Sequence, residues 1–262
     1  RHSASAFSSL SSVLPKEEIE NLGFTVTSVY SQGDVVWLGS AEFVYRVDRK
    51  LETMQRYQTS GRVNTIRADG EGRIYAATDV GLFRYEQSTN QLQRVDQPFL
   101  LAKARHDNIR DLVITKEQQF WFGLWGEGVL HWDPVTNQTE LLLREVMQQK
   151  VGDAVQALHL QGDFLWVGTR YSGLFQITVS TGAVRHISEE KAAGLTLPSQ
   201  DVQCVEKGPN DSILICTEQG LVVYQPQTAT QQLWDGRSGL LTHNIVGAHT
   251  DADSNVWLLS AK

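Results

Sequence analysis

One phrase recurs six times along this chain, and its spacing excludes most folds. Aligned on the residue that anchors each copy, it reads "VWLGS" at Trp37, "IYAAT" at Tyr75, "FWFGL" at Trp121, "LWVGT" at Trp166, "ILICT" at Leu214 and "VWLLS" at Trp257. Successive copies lie 38, 46, 45, 48 and 43 residues apart. Such a period belongs to helical arrays or to propellers. Residue type separates the two. Each copy is a run of β-branched and aromatic residues between turn formers, as in "ADGEGRIYAAT" and "TDADSNVWLLS", and none carries apolar residues at helical spacing over a helical length.

Within a copy the order repeats as well. A first strand such as "NIRDLVI" (108–114) leads through a polar turn into the anchor strand, a loop follows, then a third strand such as "GVLHW" (128–132) and a fourth such as "ELLL" (140–143). The turns before the fourth strand are "EQSTNQ" (86–91), "DPVTNQT" (133–139), "TVSTGA" (178–183) and "QPQTAT" (225–230); all hold Thr, and the first three follow it with Asn or Gly where local side-chain bonds and positive φ are needed. Four antiparallel strands per copy make one propeller blade. The expected fold is therefore an all-β propeller of about six four-stranded blades, the last incomplete.

Two details fit that architecture. Strands such as "DVVWLG" and "SILIC" are apolar at consecutive positions, as expected when both faces of a sheet are covered. Gly39, Gly123 and Gly168 follow the anchor by two residues, which predicts that backbone there passes close to a neighbour. Ala77 and Cys216 keep that slot small, and Leu259 breaks the rule in the last copy.

The phrases "LWVGTRYSGLFQITVSTG" (165–182), "FWFGLWGEGVLHWDPVTN" (120–137) and "IYAATDVGLFRYEQSTN" (74–90), with "LPSQDV" (197–202) and "LTHNIV" (241–246), resemble the two-component regulator propeller repeat. That repeat is carried by the extracytoplasmic sensor domains of many bacterial membrane receptors. The match runs over about residues 22–262, and the streptogramin-lyase propellers are its nearest confusable relative. The resemblance implies a periplasmic ligand-sensing or interaction domain that feeds a histidine kinase or diguanylate cyclase lying outside this sequence.

The sixth copy stops after its second strand, at Lys262. Either the N-terminal segment supplies the missing strands or the polypeptide continues, and the second is the reading preferred here. Residues 1–21 form a separate Ser-rich segment, in which "LPKEEIENLG" (14–23) predicts a short helix from Pro15 in its first turn to Gly23 at its stop. Residues 22–262 are the propeller. The two cysteines, Cys204 and Cys216, fall opposite each other if the hairpin turns at Asn210. That leaves a cross-strand disulfide, somewhat strained, or two buried thiols serving as small apolar residues.

A net charge of −7 with no basic run excludes a nucleic-acid footprint. No apolar stretch approaches the roughly 20 residues of a membrane helix, so any membrane attachment would come through an anchor outside this sequence. Seven histidines are scattered without metal-ligand spacing, and His131 and His159 read as strand residues. "DADSN" (251–255) resembles the start of a calcium loop but occupies a hairpin turn, and Lys262 stands where the closing acid would be. No metal, cofactor or catalytic residue is therefore predicted, and no nucleotide or nucleophile motif is found.

Ligands of propellers commonly bind where the second-to-third loops and the inter-blade loops meet. The former carry Asp79, Trp125, Glu127, Arg170, Tyr171 and Glu218; the latter carry Arg105, His106, Asp107 and His243. "LWGEG" (124–128) sets a large aromatic beside a carboxylate, a pairing that holds sugar rings, although a Trp packed on the adjacent blade would give the same sequence. Arg170 with Tyr171 repeats the idea one blade on. "RHD" (105–107) combines cation, base and acid, or is a solvated turn. The expected partner is a small molecule, with an oligosaccharide suggested by the resemblance and by Trp125; a homodimer is left open. An enzyme of the lyase type would instead require His106, Glu127 and His243 to converge, and a passive protein-binding scaffold would lack converging aromatics and charges.

Overall fold

The computed structural model describes residues 25–95, 107–188 and 194–261. Among these there are twenty-two strands, β1 to β22, in five four-stranded antiparallel sheets and one two-stranded sheet. Each sheet is one copy of the repeat, its strands paired in chain order. The first strands are β1 (Ser28–Gln32), β5 (Val63–Ala68), β9 (Ile109–Ile114), β13 (Val155–Gln161), β17 (Val202–Lys207) and β21 (Ile245–Thr250). The anchor strands are β2 (Val35–Gly39), β6 (Ile74–Thr78), β10 (Phe120–Leu124), β14 (Phe164–Thr169), β18 (Ile213–Thr217) and β22 (Val256–Ser260). The described residues fall into two compact units. One holds the first two sheets with residues 107–109 and 114–118, and the other holds residues 110–113 and the chain from 119 onward.

Burial follows from covering each sheet on both faces. Every residue of β6, β10 and β18 is buried, which explains why these strands lack the alternation of a half-exposed sheet. The anchor aromatics Trp37, Trp121 and Trp166 are 1–2% exposed, whereas Trp257 is 52% exposed. The difference is the missing cover: among the described residues, β22 has β21 on one side and no third strand on the other.

The small residue after each anchor has the cause the sequence suggested. A Cβ built on Gly39 would lie 2.7 Å from Val63 Cγ1, one on Gly123 2.6 Å from Val155 Cγ1, and one on Gly168 2.6 Å from Val202 Cγ1. In each case the neighbour is the leading valine of the next repeat's first strand. Successive first strands are also tied together by side chains. The amide of Ile66 donates to Ser28 Oγ, that of Leu158 donates to Asp111 Oδ2 at 2.8 Å, and Thr250 Oγ1 donates to the Lys207 carbonyl, bonds that span 38, 47 and 43 positions.

The turn chemistry also matches. Asn90, Asn137, Gly182 and Ala229 occupy the same place in the four turns before the fourth strands, and all four have positive φ. Ala229, at φ 53°, has neither the freedom of glycine nor the local hydrogen bonding that lets asparagine occupy that region. In β17 and β18, Cys204 and Cys216 are direct cross-strand partners with Cα atoms 4.8 Å apart, and they form a disulfide. This resolves the two readings of the cysteines. The turn between them, Pro209–Asp211, has Asn210 at φ 53°.

One element has no counterpart in the sequence reading: a six-residue helix, α1 (Arg144–Gln149), follows the fourth strand of the third sheet. Met147 buries itself under it beside Val155 and Val167. The helix expected near 14–23, and the segment 1–21 as a whole, lie outside the described residues.

Candidate functional site

The first strands of four repeats share a bulge. The register slips between Val63 and Thr65, Val155 and Ala157, Val202 and Cys204, and Ile245 and Gly247. A bulge inserts one extra residue and re-aims its side chain. The extra residues are Asn64, Gln156, Gln203 and Val246, and Arg110 holds the corresponding place in β9. Gln156 Nε2 donates to Asp201 Oδ1, and Gln203 Nε2 donates to Asn244 Oδ1 at 3.0 Å, each reaching the residue that precedes the next first strand.

Around Gln156 the second unit gathers its most unusual side chains. Trp125 leaves β10 and pairs by an isolated bridge with Ala154. The Arg110 guanidinium lies 5.4 Å from the centroid of the Trp125 ring, and that of Arg170 lies 5.7 Å from the same ring and 4.9 Å from the ring of Tyr171. A cation over an aromatic face gains about 0.5–2 kcal/mol, more as water is excluded. The loop that carries Arg170 is fixed from below by Asp153, which is fully buried. Its Oδ1 accepts the amides of Ala154 and Tyr171, and its Oδ2 accepts Ser172 Oγ at 2.6 Å. The Lys150 ammonium caps the Tyr171 carbonyl.

Carboxylates complete the cluster. Burial pushes the Asp201 carboxyl above its usual range; the hydrogen bond from Gln156 and the charge of Arg170 oppose that, while Glu218 and Asp153 add to it. Ser199 Oγ donates to Glu218 Oε1 at 3.1 Å and accepts the Asp201 amide. The arrangement can hold a polar ligand by charge-assisted bonds from a guanidinium already held against two aromatic rings.

The candidate residues read from sequence meet only in part. Trp125, Arg170 and Tyr171 come together, with Glu218 near Asp201. Glu127, expected to share the ligand face with Trp125, is 3% exposed and is engaged by Arg144, whose Nη2 and Nε lie 2.6 and 2.8 Å from Glu127 Oε2. It ties α1 to its loop. Asp79 accepts Asn64 Nδ2 at 2.7 Å, and Asp107 pairs with Arg94 at 2.6 Å, both within the first unit. His243 is exposed beside the Gly236 turn. Arg105 and His106, the latter one of the three residues an enzyme of the lyase type would bring together, lie outside the described residues.

Sequence reasoning missed Arg110, Asp153, Gln156 and Asp201. For Arg110 and Gln156 the signal was a single polar residue after the leading apolar residue of four of the six first strands, seen in "VN", "IR", "VQ" and "VQ" at Asn64, Arg110, Gln156 and Gln203; Asp153 and Asp201 stand before the first strands and carried no such signal. His131 stacks on Trp121 with centroids 4.2 Å apart, and burial lowers its pKa, so it is a strand residue as read. "DADSN" is a turn: the Trp257 indole, at 2.8 Å, and Asn255 donate to Asp251 and hold its carboxyl down at about 2. Among the described residues no three potential ligands gather for a metal ion.

No family model matches the chain, and no curated protein does. Solved structures do. The extracellular domain of a proposed hybrid two-component system, BT3049 from B. thetaiotaomicron, aligns over 90% of this chain at 17% identity with a TM-score of 0.70. That of a proposed one-component system, BT4673 from the same organism, aligns over 90% at 16% identity and 0.59. The WD40 propeller domain of Doa1 aligns over 89% at 14% identity and 0.62. The chain has a β-propeller fold. It covers 32% and 38% of the two extracellular domains and 74% of the Doa1 domain. Because propeller strands alternate in direction, second-to-third loops and the segments entering first strands emerge at one end of each blade. Trp125, Arg170 and Glu218 come from the former, and Asp153 and Asp201 from the latter, so the cluster belongs to a single blade end in three successive blades.

Proposed function

We propose that this propeller is the ligand-sensing part of a bacterial membrane signalling receptor, placed outside the cytoplasm, and that it binds a small molecule without transforming it. The observation that carries this reading is the cluster at the blade ends: two guanidiniums over Trp125, with Tyr171, Asp201 and Glu218 beside them and the Arg170 loop tied to Asp153. The likeness to two extracellular domains of two-component-type systems supports the setting. So does the Cys204–Cys216 disulfide, since such bonds persist in oxidising compartments.

A binding site of this kind signals only if its ligand prefers one of two receptor arrangements. Binding is tested by calorimetry and thermal shift with a set of oligosaccharides and small metabolites, on the wild-type protein and on Trp125→Ala. The reading expects at least one compound to raise the melting temperature and the Trp125→Ala variant to lose that response. A protein stabilised by none of them would be a scaffold, and the sensing reading would be wrong.

A further inference from the structure

The two signs of charge in the cluster are close but not joined. The Gly173 amide donates to the Gln200 carbonyl at 3.1 Å, which sets the loop that carries Arg170 against the segment that carries Asp201, and Ser199 Oγ joins Asp201 to Glu218; Arg170 and Glu218 also both act on the proton affinity of Asp201. Yet among the described residues the Arg170 guanidinium is in contact with two rings and with no carboxylate. A half-buried arginine beside acidic residues ordinarily pairs with one of them. Here the Trp125 and Tyr171 rings hold the cation on one side, while Gln156 and Ser199 hold the Asp201 and Glu218 carboxylates on the other. Among the described residues no side chain bridges the Arg170 guanidinium to these carboxylates.

A simple anion would gain Arg170 and face Asp201, Glu218 and Asp153. A simple cation would gain the carboxylates and face Arg110 and Arg170. A ligand carrying both charges satisfies both halves. Resting on the reading that this cluster is the sensing site, we propose that its ligand is a small amino-carboxylate zwitterion, with the carboxylate on the Arg170 guanidinium and the ammonium between Asp201 and Glu218. The planar fork of Arg170 matches a carboxylate in two parallel bonds. An ammonium has three donors to divide between the two acids. The neighbouring Tyr171, 38% exposed, leaves the cluster open to solvent for entry.

The test is a titration of the intact protein with glycine, 4-aminobutyrate and 6-aminohexanoate, which differ in the distance between their charges. Butyrate and butylamine, each lacking one charge, are the controls. Binding is read from the Arg170 Nε–H and Trp125 indole N–H signals by NMR. At least one zwitterion is expected to bind about tenfold or more tighter than either control, since losing either charge forfeits its charge-assisted bonds. Arg170→Gln should reduce its binding to the butylamine level and Asp201→Asn towards the butyrate level. Arg170→Lys, which keeps the charge but not the fork, should fall between, with melting temperatures confirming that the variants fold. Butyrate binding as well as any zwitterion, an unaffected Arg170→Gln variant, or no shift at either reporter with any probe would each overturn the proposal. If an oligosaccharide binds and is lost in Trp125→Ala while no zwitterion binds, the sensing reading stands and this inference alone fails.

Discussion

Replacing Gly168 by alanine should unsettle the propeller out of proportion to one methyl group. The new Cβ would stand 2.6 Å from Val202 Cγ1, 3.1 Å from Val205 Cγ2 and 3.2 Å from the Val202 carbonyl oxygen. Ordinary carbon contacts sit at about 3.5–4.0 Å, so β17 must retreat by roughly 1 Å from a layer with no slack. Overpacking of this kind costs about 1–3 kcal/mol, and for a unit of this size each kcal/mol lowers Tm by about 2–4 °C. Trp166, two residues earlier and 2% exposed, reports on the site directly. Urea unfolding followed by its fluorescence should show a lower midpoint at unchanged slope. The cause can be isolated by a double-mutant cycle with Val202→Ala, which removes the Cγ1 clash but leaves the backbone oxygen. The pair should be less destabilised than the sum of the singles by about 1 kcal/mol or more. Gly247→Ala is the control, since a Cβ there meets Leu259 Cβ at an ordinary 3.5 Å. Additivity within about 0.5 kcal/mol, or an unmoved Gly168→Ala midpoint, would refute the account of how consecutive blades touch.

Asp201→Asn tests the cost of a half-buried carboxylate. Burial raises the folded pKa above the ordinary 3.8, so the folded state holds its proton more tightly than the unfolded one, and wild-type stability falls as pH rises through that interval. The asparagine variant should therefore melt higher than wild type at pH 7 and lose that advantage below pH 3.8; an equal difference at both pH values would contradict the assignment. Ala229→Asn, which restores to the fifth blade the residue found at Asn90 and Asn137, should add up to about 1 kcal/mol by relieving the left-handed backbone, measured by urea midpoint. Reducing the Cys204–Cys216 bond, which closes a separation of 12 residues, should cost about 3 kcal/mol, and two thiols should become alkylatable in urea only after reduction.

The regular parts of the fold could be read because they depend on local chemistry. Anchor strands that must be apolar on both faces, turns that need positive φ at Asn137 and Gly182, and a slot too narrow for a side chain at Gly123 all leave marks within a few residues of one another. The symmetry of Cys204 and Cys216 about Asn210 placed them opposite each other for the same reason. The helix α1 left no mark, since six residues are too few to show a period and Leu143, the residue before it, offers no capping side chain. Glu127 looked like a ligand carboxylate because its partner, Arg144, is supplied by that unforeseen helix. Arg110, Gln156 and Asp201 escaped because their roles come from pairing one repeat with the next. A bulge decides where such a side chain points, and a bulge is invisible in composition.

Ser28 to Ile66, Asp111 to Leu158 and Thr250 to Lys207 each tie one repeat to its immediate neighbour. Wiring of this range makes stability approximately a sum of nearest-neighbour terms. A chain built so can lengthen by gene-level copying of a single repeat without breaking a bond elsewhere. Drawn from its ends by a mechanical force, it would give way one repeat at a time, each rupture releasing about 150 Å of extended contour.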